Sequence, residues 1–204
     1  TRGSNGQPFP YFYGYKTAGV FQNWSQVEGT AAKYAGAQPG DLIFVDSNND
    51  GKITEDDRTM IGNPNPDFSM GLNLNFSYKG FDLNVTGAGS FGKQIAKSYR
   101  SFADSPLQNY TTDIFGRWTG EGTSNKLPRL TSGSHTNWQN ISDIYIEDGD
   151  YLKIQNLTIG YDFKKLFPTM PLGQARLYLT DQNLFTFTGY SGMAPENGYG
   201  FDKN

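Results

Sequence analysis

Cysteine is absent from the 204 residues, which excludes both a disulfide framework and thiolate chemistry. Charge is also scarce: Asp, Glu, Lys and Arg make up 18% of the chain, below the roughly 25% usual in soluble domains. No apolar run approaches the roughly 18 residues that a membrane-crossing helix needs. Strands of a membrane barrel alternate in polarity and escape that test. A basic face is missing as well: 17 Lys and Arg stand against 20 Asp and Glu, a net charge of -3, which argues against a nucleic-acid binder. No Walker-type phosphate loop occurs, and Gly87-Ala88-Gly89 falls inside a strand pattern rather than before a helix. The single histidine, His135, sits in a polar stretch and reads as a surface residue. No nucleophile elbow is present, and carboxylate pairs drawn freely from 20 acids carry no signal, so no enzymatic activity is expected. Neither a signal peptide nor an initiating Met is visible at Thr1-Arg2-Gly3-Ser4, so the chain reads as a processed product or a fragment.

What is abundant is Gly (25 residues) and aromatic side chains (15%), a mix that suits strands, turns and polar loops. From Phe68 to Tyr78 every second residue is apolar: Phe68, Met70, Leu72, Leu74, Phe76 and Tyr78. Between them lie Ser69, Gly71, Asn73, Asn75 and Ser77, all small and uncharged. This strict period of two predicts a strand. Lys79-Gly80 predicts a tight turn, after which Phe81, Leu83 and Val85 continue the apolar face. About 11 residues is the length of a tilted strand crossing a bilayer, whereas strands of globular proteins cluster near 5–6. A hairpin of a soluble sandwich fits the alternation equally well.

Further strands are expected within Tyr11–Val20, over Tyr151–Phe163, and from Ala175 towards Phe187. In the second of these, Leu152 and Ile154 are out of phase with Leu157, Ile159, Tyr161 and Phe163, which predicts a bulge or a buried inner contact. A short helix is expected over Val27–Tyr34. If Lys79-Gly80 marks one rim of a barrel, the short connections 79–80 and 164–174 share that rim. The long ones, 22–67, 92–150 and 188–204, share the other. Outer-membrane barrels show this asymmetry, with short periplasmic turns and long extracellular loops, and a soluble sandwich has no reason to. The expected fold class is therefore all-β, with antiparallel hairpins forming part of an outer-membrane barrel.

One motif carries chemistry. Asp46-Ser47-Asn48-Asn49-Asp50-Gly51-Lys52-Ile53, with Asp57 beyond, has the spacing of an EF-hand loop. Side chains of Asp46, Asn48 and Asp50 would converge on one point, Gly51 permits the sharp turn, and the Lys52 carbonyl would add a ligand. Ile53 would anchor the loop on apolar neighbours. Asp57 stands where an EF-hand has a longer Glu, so a weaker or differently closed site is expected. Oxygen ligands favour Ca²⁺, with Mg²⁺ second. The bland alternative is a solvated Asn/Asp-rich turn without metal. A second cluster is aromatic: Trp24, Trp118, Trp138, Tyr99, Tyr110 and Phe115 fall in the proposed outer loops. Such rings stack on sugars, although each one taken singly fits better as loop packing. The three tryptophans are the substrate-binding candidates.

Several blocks resemble the C-terminal third of SusC-like (RagA-like) TonB-dependent transporters. They are Pro39-Gly40-Asp41 running through the Asp46 loop to Asp57-Arg58, then Ile61-Gly62-Asn63-Pro64-Asn65-Pro66-Asp67-Phe68, then Tyr78-Lys79-Gly80-Phe81-Asp82-Leu83. Later come the Tyr151–Tyr161 block and Gln182-Asn183-Leu184-Phe185-Thr186-Phe187-Thr188. They follow family order over about residues 14–196. The resemblance implies a 22-stranded plugged outer-membrane barrel energised through TonB and lidded by a SusD-like lipoprotein. It implies import of glycan or, in some members, peptide. The plug and the TonB-contacting segment would lie before Thr1. The family closes on a strand ending in an aromatic residue, whereas here the last residues are Asp202-Lys203-Asn204. Met193-Ala194-Pro195-Glu196 also stands where Asp-Pro-Glu is typical. Residues 1–204 are thus expected to be a C-terminal barrel fragment without plug or final strand. The competing expectation is a soluble, calcium-stiffened β-domain that binds carbohydrate.

Overall fold

A computed structural model of the chain describes residues 2–97, 112–131 and 135–196. In chain order the elements are β1 (Phe12–Gly14), β2 (Thr17–Val20), α1 (Trp24–Gly29), β3 (Leu42–Phe44) and β4 (Thr59–Gly62). They continue with β5 (Phe68–Tyr78), β6 (Phe81–Phe91), β7 (Gln94–Ala96), α2 (Thr136–Gln139), β8 (Ile146–Asp148), β9 (Tyr151–Asp162) and β10 (Arg176–Thr188). Contacts divide the described residues into a sheet unit (66–93 and 148–196) and a loop unit (2–65, 94–97, 112–131 and 135–147).

The sheet unit is one antiparallel sheet in the order β10-β9-β6-β5. Lys79 and Gly80 take φ of 47° and 92°, the mirror-image turn whose twist matches that of paired strands. The turn sets Tyr78 opposite Phe81, Phe76 opposite Leu83 and Leu74 opposite Val85. β6 then places Leu83 against Ile159 and Val85 against Leu157. The out-of-phase pair is resolved by the expected bulge. Thr86 pairs with Asn156 but Gly87 pairs with Ile154, so Gln155 is the extra residue. That single insertion returns Leu152 and Ile154 to the face of Leu157 and Ile159. A Cβ on Gly87 would lie 2.9 Å from the Lys153 carbonyl oxygen, so glycine here makes room for the bulge. Across β10 the register shifts again between Gln182 and Phe185, with Asn183 at a φ of 59°.

The loop unit is held by small apolar clusters. Tyr15, Val20, Leu42 and Phe44 form one, with Tyr34, Ile53, Trp118 and Ile144 packed against it. Phe21, Val27 and Ala37 form another. The strand expected within Tyr11–Val20 is two short strands with different partners: β1 pairs with β4, and β2 with β3. The expected helix is shifted towards the N-terminus. Asn23 caps α1 by accepting the Gln26 amide at 3.0 Å, and Thr30 leaves helical geometry at a ψ of 118°. A good cap followed by an early exit outweighed the weak apolar spacing of Val27–Tyr34.

Candidate functional site

The sheet has two chemically opposite faces, and strand register decides what each one carries. On one face run Met70, Leu72, Leu74, Phe76 and Tyr78 of β5, then Phe81, Leu83 and Val85 of β6. Ile154, Leu157, Ile159 and Tyr161 of β9 follow, then Leu177, Leu179, Phe185 and Phe187 of β10. These side chains are not packed into a core: Leu74 is 55% exposed, Phe76 57% and Leu179 73%. Asp181, opposite Leu157 and beside the second register shift, interrupts this face. Leaving such a band bare in water is unfavourable by about 25 cal/mol for each Å² of apolar surface.

The other face is polar and laced together. Ser69 lies 3.3 Å from Ser90, Asn75 donates to Asn73 at 3.0 Å, and Thr158 and Thr180 share a hydrogen bond of 2.9 Å. Charge enters only from β6, β9 and β10. Arg176 grips Asp82 with two hydrogen bonds, Nε at 3.0 Å and a terminal nitrogen at 2.5 Å. This pair spans β9, crossing directly over Gly160, which faces Asp82 in the register. A Cβ on Gly160 would lie 2.7 Å from the Asp82 carboxylate and 2.8 Å from the guanidinium. Sequence reasoning missed this pair; a glycine inside a clean strand was its only signal.

At one end of the sheet lie the Lys79-Gly80 turn and the Phe163–Lys165 single-turn helix, joined by the Asp162 amide donating to the Gly80 carbonyl at 2.8 Å. The long connections leave from the opposite end.

The acidic loop buckles on its own backbone. Asp46 is half-buried and accepts the amides of Asp50 (3.2 Å) and Gly51 (2.8 Å). Asn48 Oδ1 accepts the Asp50 amide at 3.0 Å, and Asp50 accepts the Lys52 amide at 2.8 Å. Asn49 and Gly51 take positive φ of 60° and 83°, which aims these amides inward. Asn48, Asp50 and Lys52 are exposed, whereas Asp57 is fully buried. Asp57 clasps the loop: one oxygen accepts the Ser47 amide at 2.8 Å and the other the Thr54 amide at 2.7 Å. Burial pushes the Asp57 carboxyl up, but the amides of Thr54, Ser47 and Asn48 outweigh it and hold the group below the usual carboxylate range. Ile53 packs on the first apolar cluster, as an anchor should. Among the described residues no three Asp, Glu, His or Cys side chains gather as a ready-made metal cluster.

A buried polar cluster lies in the loop unit. Asp41, wholly enclosed, accepts from Arg129 Nε at 2.7 Å and from the Asn137 side-chain amide at 2.8 Å. Asn137 Oδ1 in turn accepts the Leu42 amide at 3.0 Å. Burial, with the Asp41 carboxylate beside it, pushes the Tyr34 hydroxyl well above its usual pKa. His135 is not the free surface residue expected. It is half-buried, edge-on to Tyr34, and its Nδ1 accepts the Asn137 amide at 3.2 Å to cap α2. Burial lowers its pKa, and an Nδ1 that accepts an amide belongs to the neutral ring. Nε2 then carries the proton, and the 3.3 Å approach of Arg129 to it is a contact rather than a hydrogen bond.

The three tryptophans have different surroundings. Trp138 is 2% exposed and packs inside the loop unit, the packing reading favoured for any one of these rings. Trp118 is half-buried and donates to Gln22 Oε1 at 3.3 Å. Trp24 is 59% exposed, as is Phe115 at 82%. Tyr99 and Tyr110 lie outside the described residues.

Comparison with known proteins places these observations in a lineage. The chain is 36% identical over 200 residues to TonB-dependent receptor P3 of Formosa agariphila, covering 98% of this chain and 20% of that protein. It is 29% identical over 206 residues to TonB-dependent receptor SusC of Bacteroides thetaiotaomicron, covering 100% of this chain and 19% of that protein. The structure of the RagAB peptide transporter superposes with a TM-score of 0.69 at 23% identity, covering 94% of this chain and 20% of that one. At that identity the likeness is one of fold. The RagAB peptide importer in its open-open state superposes similarly, at 0.67. No protein-family model matches the chain. The chain spans about one fifth of the length of the curated relatives it matches.

Proposed function

The chain belongs to the SusC-like TonB-dependent receptors, outer-membrane β-barrel proteins, and on that premise we propose that it forms part of the wall and outer loops of a nutrient importer. The observation that carries this reading is the sheet with one bare apolar face and one polar, hydrogen-bonded face. A bare band of large apolar side chains across four strands fits hydrocarbon on one side and an enclosed polar lumen on the other. In a soluble sandwich the same leucines and phenylalanines would be packed inside.

The proposed cargo is an oligosaccharide or a similarly bulky nutrient, peptide included. The proposed partners are TonB and a SusD-like surface lipoprotein. We assign the chain no catalytic step. Trp24 is the ring best placed for cargo among the three tryptophans, because it is the most exposed. For the acidic loop the proposed role is Ca²⁺-dependent stiffening. Asp46, Asn48, Asp50 and the Lys52 carbonyl supply oxygens, and each carboxylate oxygen that accepts one amide keeps a second lone pair. Asp57 closes the loop behind them.

The test is made on the complete gene product. It should fractionate with the outer membrane, and its deletion should abolish growth on one class of oligosaccharide or peptide while leaving monosaccharide growth intact. Recovery in a soluble fraction would refute the barrel reading. Unchanged growth on every polymeric nutrient would refute the import reading.

A further inference from the structure

The short-turn rim of the sheet carries a feature that wall-building does not require. Phe81, Ile159, Tyr161, Phe163, Leu177 and Leu179 line an apolar hollow of about 370 Å³. It lies within the sheet unit beside the Lys79-Gly80 turn, mostly on the apolar face, with Gly160 and Tyr178 completing the lining. Three lysines crown the same rim. Lys79 sits in the turn itself, taking a positive φ of 47° where Asn or Gly is favoured. Lys164 and Lys165 follow Phe163 directly, and the Lys165 side chain lies against Gly80, 3.0 Å from where a Cβ would stand.

The carboxylates that face this cluster are engaged. Asp82 is held by Arg176, and Asp162 accepts the Lys164 amide at 3.0 Å. Lys164 donates one proton to the Gly173 carbonyl at 3.1 Å and keeps two. The connection that follows exposes Leu166, Phe167 and Leu172 by half or more. Cations beside exposed apolar and aromatic side chains form the signature of a segment seated at a lipid headgroup layer.

We propose that this rim is a binding site for one anionic glycerophospholipid. Its phosphate sits among the ammonium groups of Lys79, Lys164 and Lys165, and one acyl chain fills the hollow. The choice of lipid follows from charge complementarity and from leaflet: the short-turn rim of an outer-membrane barrel is periplasmic, where glycerophospholipids lie. The proposal rests on the barrel reading above.

The experiment uses the full receptor, purified in mild detergent, stripped of lipid and titrated by native mass spectrometry. Phosphatidylglycerol is the anionic probe and phosphatidylcholine the zwitterionic one. Each basic residue near an anionic lipid is worth about fivefold, so a preference of at least about tenfold for phosphatidylglycerol is expected. The triple variant Lys79→Gln, Lys164→Gln, Lys165→Gln should lose it, while Lys33→Gln and Lys126→Gln in the loop unit should not. Leu179→Trp, which fills the hollow, should weaken both lipids. Equal binding of the two lipids, or a preference that survives the triple substitution, overturns the proposal. Dihexanoyl phosphatidylglycerol binding as tightly as the long-chain lipid overturns the part played by the hollow. A receptor that fractionates with the outer membrane yet shows no preference sinks this inference alone. A receptor found in the soluble fraction sinks the barrel reading itself.

Discussion

Replacing Leu74 by Lys separates a membrane wall from a soluble surface. Leu74 is 55% exposed and stands opposite Val85 on the apolar face. In a soluble protein a leucine this exposed accepts lysine within about 0.5 kcal/mol. In a barrel wall the cost depends on depth. β5 has 11 residues, so at about 3.4 Å each it runs about 37 Å, or about 28 Å along the membrane normal at a tilt of about 40°. That matches a hydrocarbon band of about 25–30 Å, with Phe68 and Tyr78 at its borders and Leu74 one residue from its centre. Lysine at the midplane costs about 2–4 kcal/mol, a loss of roughly 30- to 900-fold in the folding equilibrium. At Tyr78 the same change should cost about 0–1 kcal/mol. At Asn75, on the polar face, the change gives up exposed side-chain hydrogen bonds to Asn73 and Asn84 and should cost about 1 kcal/mol or less. The assay is urea unfolding of the full receptor refolded into lipid vesicles, followed by the gel shift between folded and unfolded barrel. Equal costs for Leu74→Lys and Asn75→Lys would refute the two-faced wall. So would a Tyr78→Lys cost as large as that at Leu74.

Four further outcomes are expected. Gly87→Ala should destabilise the sheet by about 1–3 kcal/mol, because its Cβ meets a backbone carbonyl at 2.9 Å. Gly160→Ala meets only the movable ends of Asp82 and Arg176 and should cost about 1 kcal/mol or less, and the same urea titration ranks the two. Arg129→Met strands the buried Asp41 carboxylate and should cost the loop unit about 3–5 kcal/mol, read as faster proteolysis of the outer loops. The Asp57 clasp has a depressed folded pKa, so its stabilisation is complete above the usual carboxylate range and fades as the pH drops through that range and below. Protection of the Ser47 and Thr54 amides from hydrogen exchange, taken relative to the intrinsic rate at each pH, should accordingly stay high at pH 6 and fall towards pH 3, and Asp57→Asn should flatten that profile. Calorimetry should register Ca²⁺ uptake that Asp46→Ala and Asp50→Ala abolish; no heat from the unsubstituted receptor would end the calcium reading.

The strands of the wall were legible in the chain because alternation is local. Phe68 to Val85 needs no partner to declare its two faces, and Lys79-Gly80 declares its turn. The bulge was half-legible. The phase break after Ile154 announced a bulge or a buried inner contact, but only pairing with Gly87 decided for the bulge, identified Gln155 as the extra residue and explained the glycine. The acidic loop was legible as a motif through Asp46, Asn48 and Asp50. The task of Asp57 was not, since binding the Ser47 and Thr54 amides depends on how the loop returns.

By itself, then, the order of residues determined the strand periods, the tight turn and the membrane-like asymmetry of the connections. These are properties of neighbours along the chain. Only the tertiary structure decided which distant groups meet. Asp41 finds Arg129 and Asn137 from 88 and 96 positions away, and Arg176 reaches Asp82 across an intervening strand. Such pairs rest on register and burial, which fix charge partners in space and leave no periodic trace in sequence.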